Sequence, residues 1–163
     1  MKFKILLLLS PILMFGQTGE TDASKIKTIE SHVKYTDSIS SFLTEEVSNE
    51  EFVFTHGRID GKPTRRMYNN TRLLKTNGLV IRICYTRRNQ ETDEDMSFYY
   101  SNSKLIYIES IISRRKKKKF IKKRFYYEND ILISPTFSSK EYNLKYELEI
   151  IEKSRSLLKQ ASS

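Results

Sequence analysis

Nine of the eleven residues from Arg114 to Arg124 (RRKKKKFIKKR) are basic: Arg114, Arg115, Lys116, Lys117, Lys118, Lys119, Lys122, Lys123 and Arg124. Residues of this kind at this density do electrostatic chemistry rather than bond-making. Their summed field draws phosphate, sulfate or carboxylate groups. Next to an anionic lipid surface each charge contributes about 1 kcal/mol. Phe120, inside the run, offers an apolar foothold. The plainer reading is the solvated tip of a long hairpin, answered by an acidic loop in RNQETDED at Glu91, Asp93, Glu94 and Asp95. Exposed pairs of that kind contribute roughly 0–1 kcal/mol each.

Other groups that could do chemistry are few. His32 and His56 are the only histidines and Cys84 the only cysteine, without the spacing of a zinc site. Cys84 has no histidine placed by sequence to activate it and reads as a small, half-buried residue. The acids from Glu91 to Asp95 lack the glycine and the spaced final glutamate of a calcium loop. Asn69-Asn70-Thr71 matches an N-glycosylation acceptor, and Asp37-Ser38-Ile39 resembles the O-glycosylation motif of Bacteroidota. No catalytic residue, metal site or cofactor is assigned. No helix-turn-helix, finger or basic zipper supports sequence-specific reading of nucleic acid.

The elements that must position the basic run follow from periodicity. From about Ala23 to Glu46, Ile26, Ile29, Val33, Ile39 and Leu43 recur at helical spacing, so an amphipathic helix is expected there, ended by Ser48 to Glu51. From about residue 52 to 134 the grammar is β. Leu79, Ile81, Ile83 and Tyr85 alternate with Val80, Arg82, Cys84 and Thr86; Met96, Phe98 and Tyr100 alternate likewise, as do Ile121, Phe125 and Tyr127. A helix over about 138–160 closes the chain. SSKE (Ser138 to Glu141) forms a capping box, the stripe is Leu144, Leu148, Ile151, Arg155 and Leu158, widened by Ile150 and Leu157, and Glu149 and Lys153 form a supporting pair.

Three stretches punctuate the β region: YNNTRLL (Tyr68 to Leu74), YSNSKLI (Tyr100 to Ile106) and YENDILI (Tyr127 to Ile133). Asn tolerates a left-handed backbone, so each is expected to be a tight turn between paired strands. The pattern resembles the Tyr-x-Asn-Gly-x-Leu hairpins of MORN-type repeat proteins, with the glycine missing in all three copies. That resemblance implies β-meander geometry over this region. A turn at Ser101 to Ser103 puts the acidic loop and the basic run at one end of the sheet, about two strand spacings or roughly 10 Å apart. If Phe120 to Arg124 is paired, Lys122 and Arg124 face away from Lys123. The expected fold is α+β: an antiparallel meander of about six strands packed with an N-terminal and a C-terminal amphipathic helix, in a single domain over residues 18–163.

The chain opens with Lys2, Lys4 and an apolar run from Ile5 to Phe15, the layout of a secretory signal over residues 1–17. Eleven residues fall short of the roughly 20 that cross a bilayer as a helix. Its ending FGQ resembles export signals of Bacteroidota-type bacteria. Periplasmic or secreted localisation is therefore expected, without a membrane-spanning anchor. The net charge is +9, with 29 basic and 20 acidic residues. Without Lys2 and Lys4 it is +7, and without the nine charges of the run it is −2, so the basicity is one local feature. The expected function is a non-enzymatic binding or interaction domain, with an anionic polysaccharide, lipid surface or acidic protein as partner and oligomeric state open. The alternatives are a small secreted enzyme with an acidic or tyrosine-rich site, or an oligomer-forming structural subunit.

Overall fold

The computed structural model describes residues 21–54, 65–115, 119–135 and 144–162. Residues 1–17, expected to be an export signal, His56, Lys116, Lys117, Lys118 and the expected SSKE capping box lie outside them. The described elements run α1 (Asp22–Ser40), β1 (Glu45–Phe54), β2 (Arg65–Thr76), β3 (Leu79–Arg88), β4 (Thr92–Ser101), β5 (Lys104–Arg114), β6 (Lys119–Glu128), β7 (Ile131–Pro135) and α2 (Leu144–Ala161). Seven strands form one sheet in the order β1-β2-β3-β4-β5-β6-β7, every neighbour antiparallel. The α+β meander is as the periodicity predicts, with one strand more.

The turn chemistry explains the meander. Asn77 and Gly78, Asn102 and Ser103, and Asn129 and Asp130 all have φ between 50° and 75°. Two successive left-handed residues bend the chain with the hand of the strand twist, which is what a two-residue hairpin requires. Each turn is followed by a register shift that leaves one extra residue in the outgoing strand, at Ile81, Ile106 and Ile133. The bulge sets two successive side chains on one face. So Val80 rather than Ile81 enters the core with Ile83 and Tyr85. The first expected turn is corrected: Tyr68 to Leu74 lies inside β2, where Asn69 and Asn70 pair with Glu50 and Asn49. The turn that matches the other two is Asn77-Gly78.

Each helix takes one face of the sheet. α2 packs on Ile83, Tyr85, Phe98, Tyr100, Ile108, Phe125 and Tyr127, with Ile150 and Leu157 as its buried anchors. Burial of each anchor contributes about 1.5–3 kcal/mol. The buried stripe of α2 is Glu147, Ile150, Ser154 and Leu157, while Leu144 and Leu148 are exposed. The expected stripe is thus rotated, because the Ser154 hydroxyl lies 2.8 Å from the Tyr100 hydroxyl and Tyr146 turns inward to Ser110. Lys153 does not run along the helix to Glu149; its Nζ sits 4.1 Å over the Tyr85 ring.

On the other face α1 lies across the strands. Lys25 reaches Glu128 of β6, Glu30 accepts from Tyr126 of β6, and Asp37 meets Tyr99 of β4 and Arg82 of β3. Its Ile26, Ile29 and Val33 pack on Tyr99, Tyr107, Tyr126 and the bulge residues Ile106 and Ile133. The three rings form a ladder with centroids 5.5 and 5.1 Å apart, each contact adding about 0.5–1.5 kcal/mol beyond burial. Thr21 caps α1 by accepting from the Ser24 amide. The helix ends at Ser40, not near Glu46. Ser38, Ser40 and Ser41 each bond a carbonyl three residues back, competing with the helical ladder, and pairing with β2 draws Glu45 to Phe54 into a strand.

Candidate functional site

The described residues of the basic run lie on or next to β5 and β6, which pair in register from Tyr107–Tyr126 to Arg114–Lys119. Strand alternation splits it as expected. Lys122 and Arg124 point to the α1 side, where both meet Glu109 at 2.9 and 3.3 Å. Burial works against the Glu109 carboxylate, but Lys122, Tyr107 and Arg124 outweigh it and hold its pKa below the usual range. Lys123 points to the α2 side, its Nζ 4.3 Å from the centre of the Tyr146 ring. Arg115 forks onto Asp93 through Nη2 and Nε at 2.7 and 3.2 Å, and its amide donates to the Glu91 carbonyl. Arg114 is exposed, and Phe120 is 72% exposed.

The acidic partner is smaller than a whole loop. Asp93, Glu94 and Asp95 belong to β4, and the turn is closed by Asn89, whose Oδ1 accepts from the Glu91 and Thr92 amides. Asp93 answers the hairpin, Asp95 accepts from the Thr86 hydroxyl, and Glu94 faces the other way. Glu109 is the partner that sequence reasoning missed. It is the only acid between Asp95 and Glu128, and a lone charge in an apolar strand is a signal that a cross-strand partner exists.

Glu94 belongs to a buried network between sheet and α2. Arg87 pairs with its Oε2, and the Tyr146 hydroxyl donates to its Oε1 at 2.8 Å. The Ser110 and Tyr146 hydroxyls are 2.7 Å apart, so with Tyr146 donating to Glu94 the Ser110 hydroxyl donates to Tyr146. Burial, with Glu94 adding to it, pushes the Tyr146 phenol above its ordinary value. Every member has a partner, which makes the network a fastening for α2 rather than an open reaction centre. The tyrosine-rich strands behave likewise: Tyr85, Tyr99, Tyr100, Tyr107, Tyr126 and Tyr127 are all buried packing groups.

On its face α1 meets Arg82, Tyr99, Tyr107 and Tyr126, members of one row that the pairing continues through Leu74 to Glu45, and the bulge residues Ile106 and Ile133 nearer the turns. Three further rows follow from the pairing. They are Val47-Arg72-Cys84-Ser97-Glu109-Arg124, then Asn49-Asn70-Thr86-Asp95-Ile111-Lys122, then Glu51-Tyr68-Arg88-Asp93-Ser113-Phe120. The α1 contacts named above fall outside these three rows. A depression of about 800 Å³ lies in this face, among Asn49, Tyr68, Asn70, Arg72, Arg88 and Arg115. Arg115 therefore belongs both to the basic run and to the depression.

The remaining candidates are placed plainly. His32 Nε2 lies 3.3 Å from the Tyr100 carbonyl oxygen. Cys84 is half-buried with its sulfur 3.7 Å from the Ser97 hydroxyl. Asn69 of the acceptor motif is buried within β2 and Asp37 is ion-paired to Arg82. Among the described residues no group of three His, Cys, Asp or Glu is arranged to hold a metal ion, and no helix is long and apolar enough to cross a membrane. Compared with protein-family models, curated proteins and solved structures, the chain matches none of them.

Proposed function

We propose that this chain is an exported, non-enzymatic binding domain that engages an anionic partner through the basic β5–β6 hairpin and the open sheet face beside it. The observation that carries the reading is the placement of Arg115 at the depression, with exposed Phe120 on the same face of the sheet. Glu109 answers Lys122 and Arg124, and Asp93 answers Arg115, so the attraction is assigned to the other residues of the run between Arg114 and Lys119. Charge of one sign concentrated in a short segment acts over about one Debye length, roughly 8 Å at physiological salt.

The test is retention on a heparin column and on vesicles containing anionic lipid. Binding is expected to fall steeply as salt rises. Replacing Lys116 to Lys119 together with Ser should abolish retention while moving Tm by less than about 2 °C, as surface substitutions do. Retention unchanged by that replacement overturns the reading.

A further inference from the structure

We propose that the depression in the open sheet face is a binding site for an acidic polysaccharide: a hydroxyl-rich chain carrying carboxylates. The inference rests on the anionic-partner reading above and names the class of that partner. It comes from the mixture of groups in and around the depression. Asn70 Nδ2 donates to Asn49 Oδ1 at 2.7 Å. That bond uses one donor and one acceptor of the pair, and the Asn49 amino group and Asn70 oxygen remain to bond a third group. Tyr68 is 45% exposed and offers a ring face and a hydroxyl. Arg88 is exposed and makes no ion pair among the described residues. Its planar fork matches a carboxylate. Arg72 is held 3.4 Å from Glu45, and Arg115 is held by Asp93. Both cations are fixed in place rather than free to wander.

Carboxylates decide between anionic partners. Glu51 lines the same depression, and Asp93 and exposed Asp95 stand in the rows beside it. A polyphosphate chain presents a charge at every unit with no neutral hydroxyl beside it, and would be repelled by these acids at close range. A sugar chain presents mostly hydroxyls, which donate to carboxylates and accept from arginine and amide groups. A carboxylate of the chain finds Arg88. The mixture thus suits a polymer that carries neutral hydroxyls beside its charges. The hairpin, joined to the depression through Arg115, then adds non-selective attraction.

The test compares three probes on the purified protein at 150 mM salt, roughly one Debye length of 8 Å: alginate oligosaccharides (hydroxyl and carboxylate), dextran (hydroxyl only) and polyphosphate (charge only). Alginate is expected to bind most tightly. Arg88→Ala should weaken it by about tenfold, the loss of one charge-assisted fork, with Arg88→Lys intermediate and polyphosphate binding unchanged. Tyr68→Ala should act in the same direction, and far-ultraviolet circular dichroism verifies that each variant is folded. Replacing Lys116 to Lys119 with Ser should remove polyphosphate binding and spare part of the alginate binding. If polyphosphate binds as tightly as alginate, or Arg88→Ala leaves alginate binding unchanged, the depression is not the site and the hairpin reading stands alone. If none of the probes binds, both readings fall.

Discussion

Ser103→Gly should stabilise the protein, although it deletes a side chain. Ser103 sits at φ 62°, in the left-handed region, where the Asn77-Gly78 turn places glycine at φ 75°. A side chain in that region costs about 1–2 kcal/mol. Glycine removes the cost but returns about 0.4–1 kcal/mol of freedom to the unfolded chain. The net gain is about 0.5 kcal/mol. For a chain of this size that raises Tm by about 1–2 °C. Gly78→Ala runs the comparison backwards. A Cβ there meets nothing within 4 Å, so the loss is backbone strain alone, about 0.5–1 kcal/mol by the same reckoning. Ser101→Gly is the internal control. It lies two residues away in β4, where glycine only loosens a strand, and should cost about 0.5–1 kcal/mol. Thermal unfolding followed by circular dichroism reads all three. If Ser103→Gly falls together with Ser101→Gly, the two-residue left-handed turn is refuted, and with it the placement of the basic hairpin and the acids at one end of the sheet.

Tyr146→Phe should lower stability by about 1–3 kcal/mol in urea unfolding, because it leaves Ser110 and one oxygen of Glu94 buried without their partner; a cost near zero would show the network does not fasten α2. Burial, with Glu30 beside it, pushes the Tyr126 phenol up to about 12. The unfolded chain releases that proton near pH 10 and the folded chain later, so above pH 10 the unfolded state binds fewer protons and stability falls until about pH 12. The urea midpoint should drop over that window, and less so in Tyr126→Phe; equal slopes in both proteins would exclude Tyr126 as a contributor.

Much of the meander was legible because its rules are local. Asn102-Ser103 and Asn129-Asp130 bend the chain through their own backbone preferences, and Tyr100, Phe98 and Met96 alternate in a period that only a strand produces. Local rules fail where two readings compete. The helical-looking pattern runs on to Glu46, and only the facing edge of β2 draws Glu45 to Phe54 into one strand. Asn69-Asn70 carries turn residues, yet lies in mid-strand because both neighbours pair with it. Val80 exchanges roles with Ile81 because a bulge, invisible in composition, resets the alternation.

By itself the sequence determined that the positive charge is concentrated in one run, and that Lys123 faces away from Lys122 and Arg124 once Phe120 to Arg124 is paired as a strand. Each follows from residue type and a period of two. Only the tertiary structure decided which acids answer the run, that Glu94 turns inward to Tyr146 while Asp93 turns outward to Arg115, and that the contacts of α1 fall near the turn end, on Arg82, Tyr99, Tyr107 and Tyr126. Those outcomes depend on how far strands slide and at what angle a helix crosses them. Contacts between residues distant in the chain set both, and no window along the chain contains them.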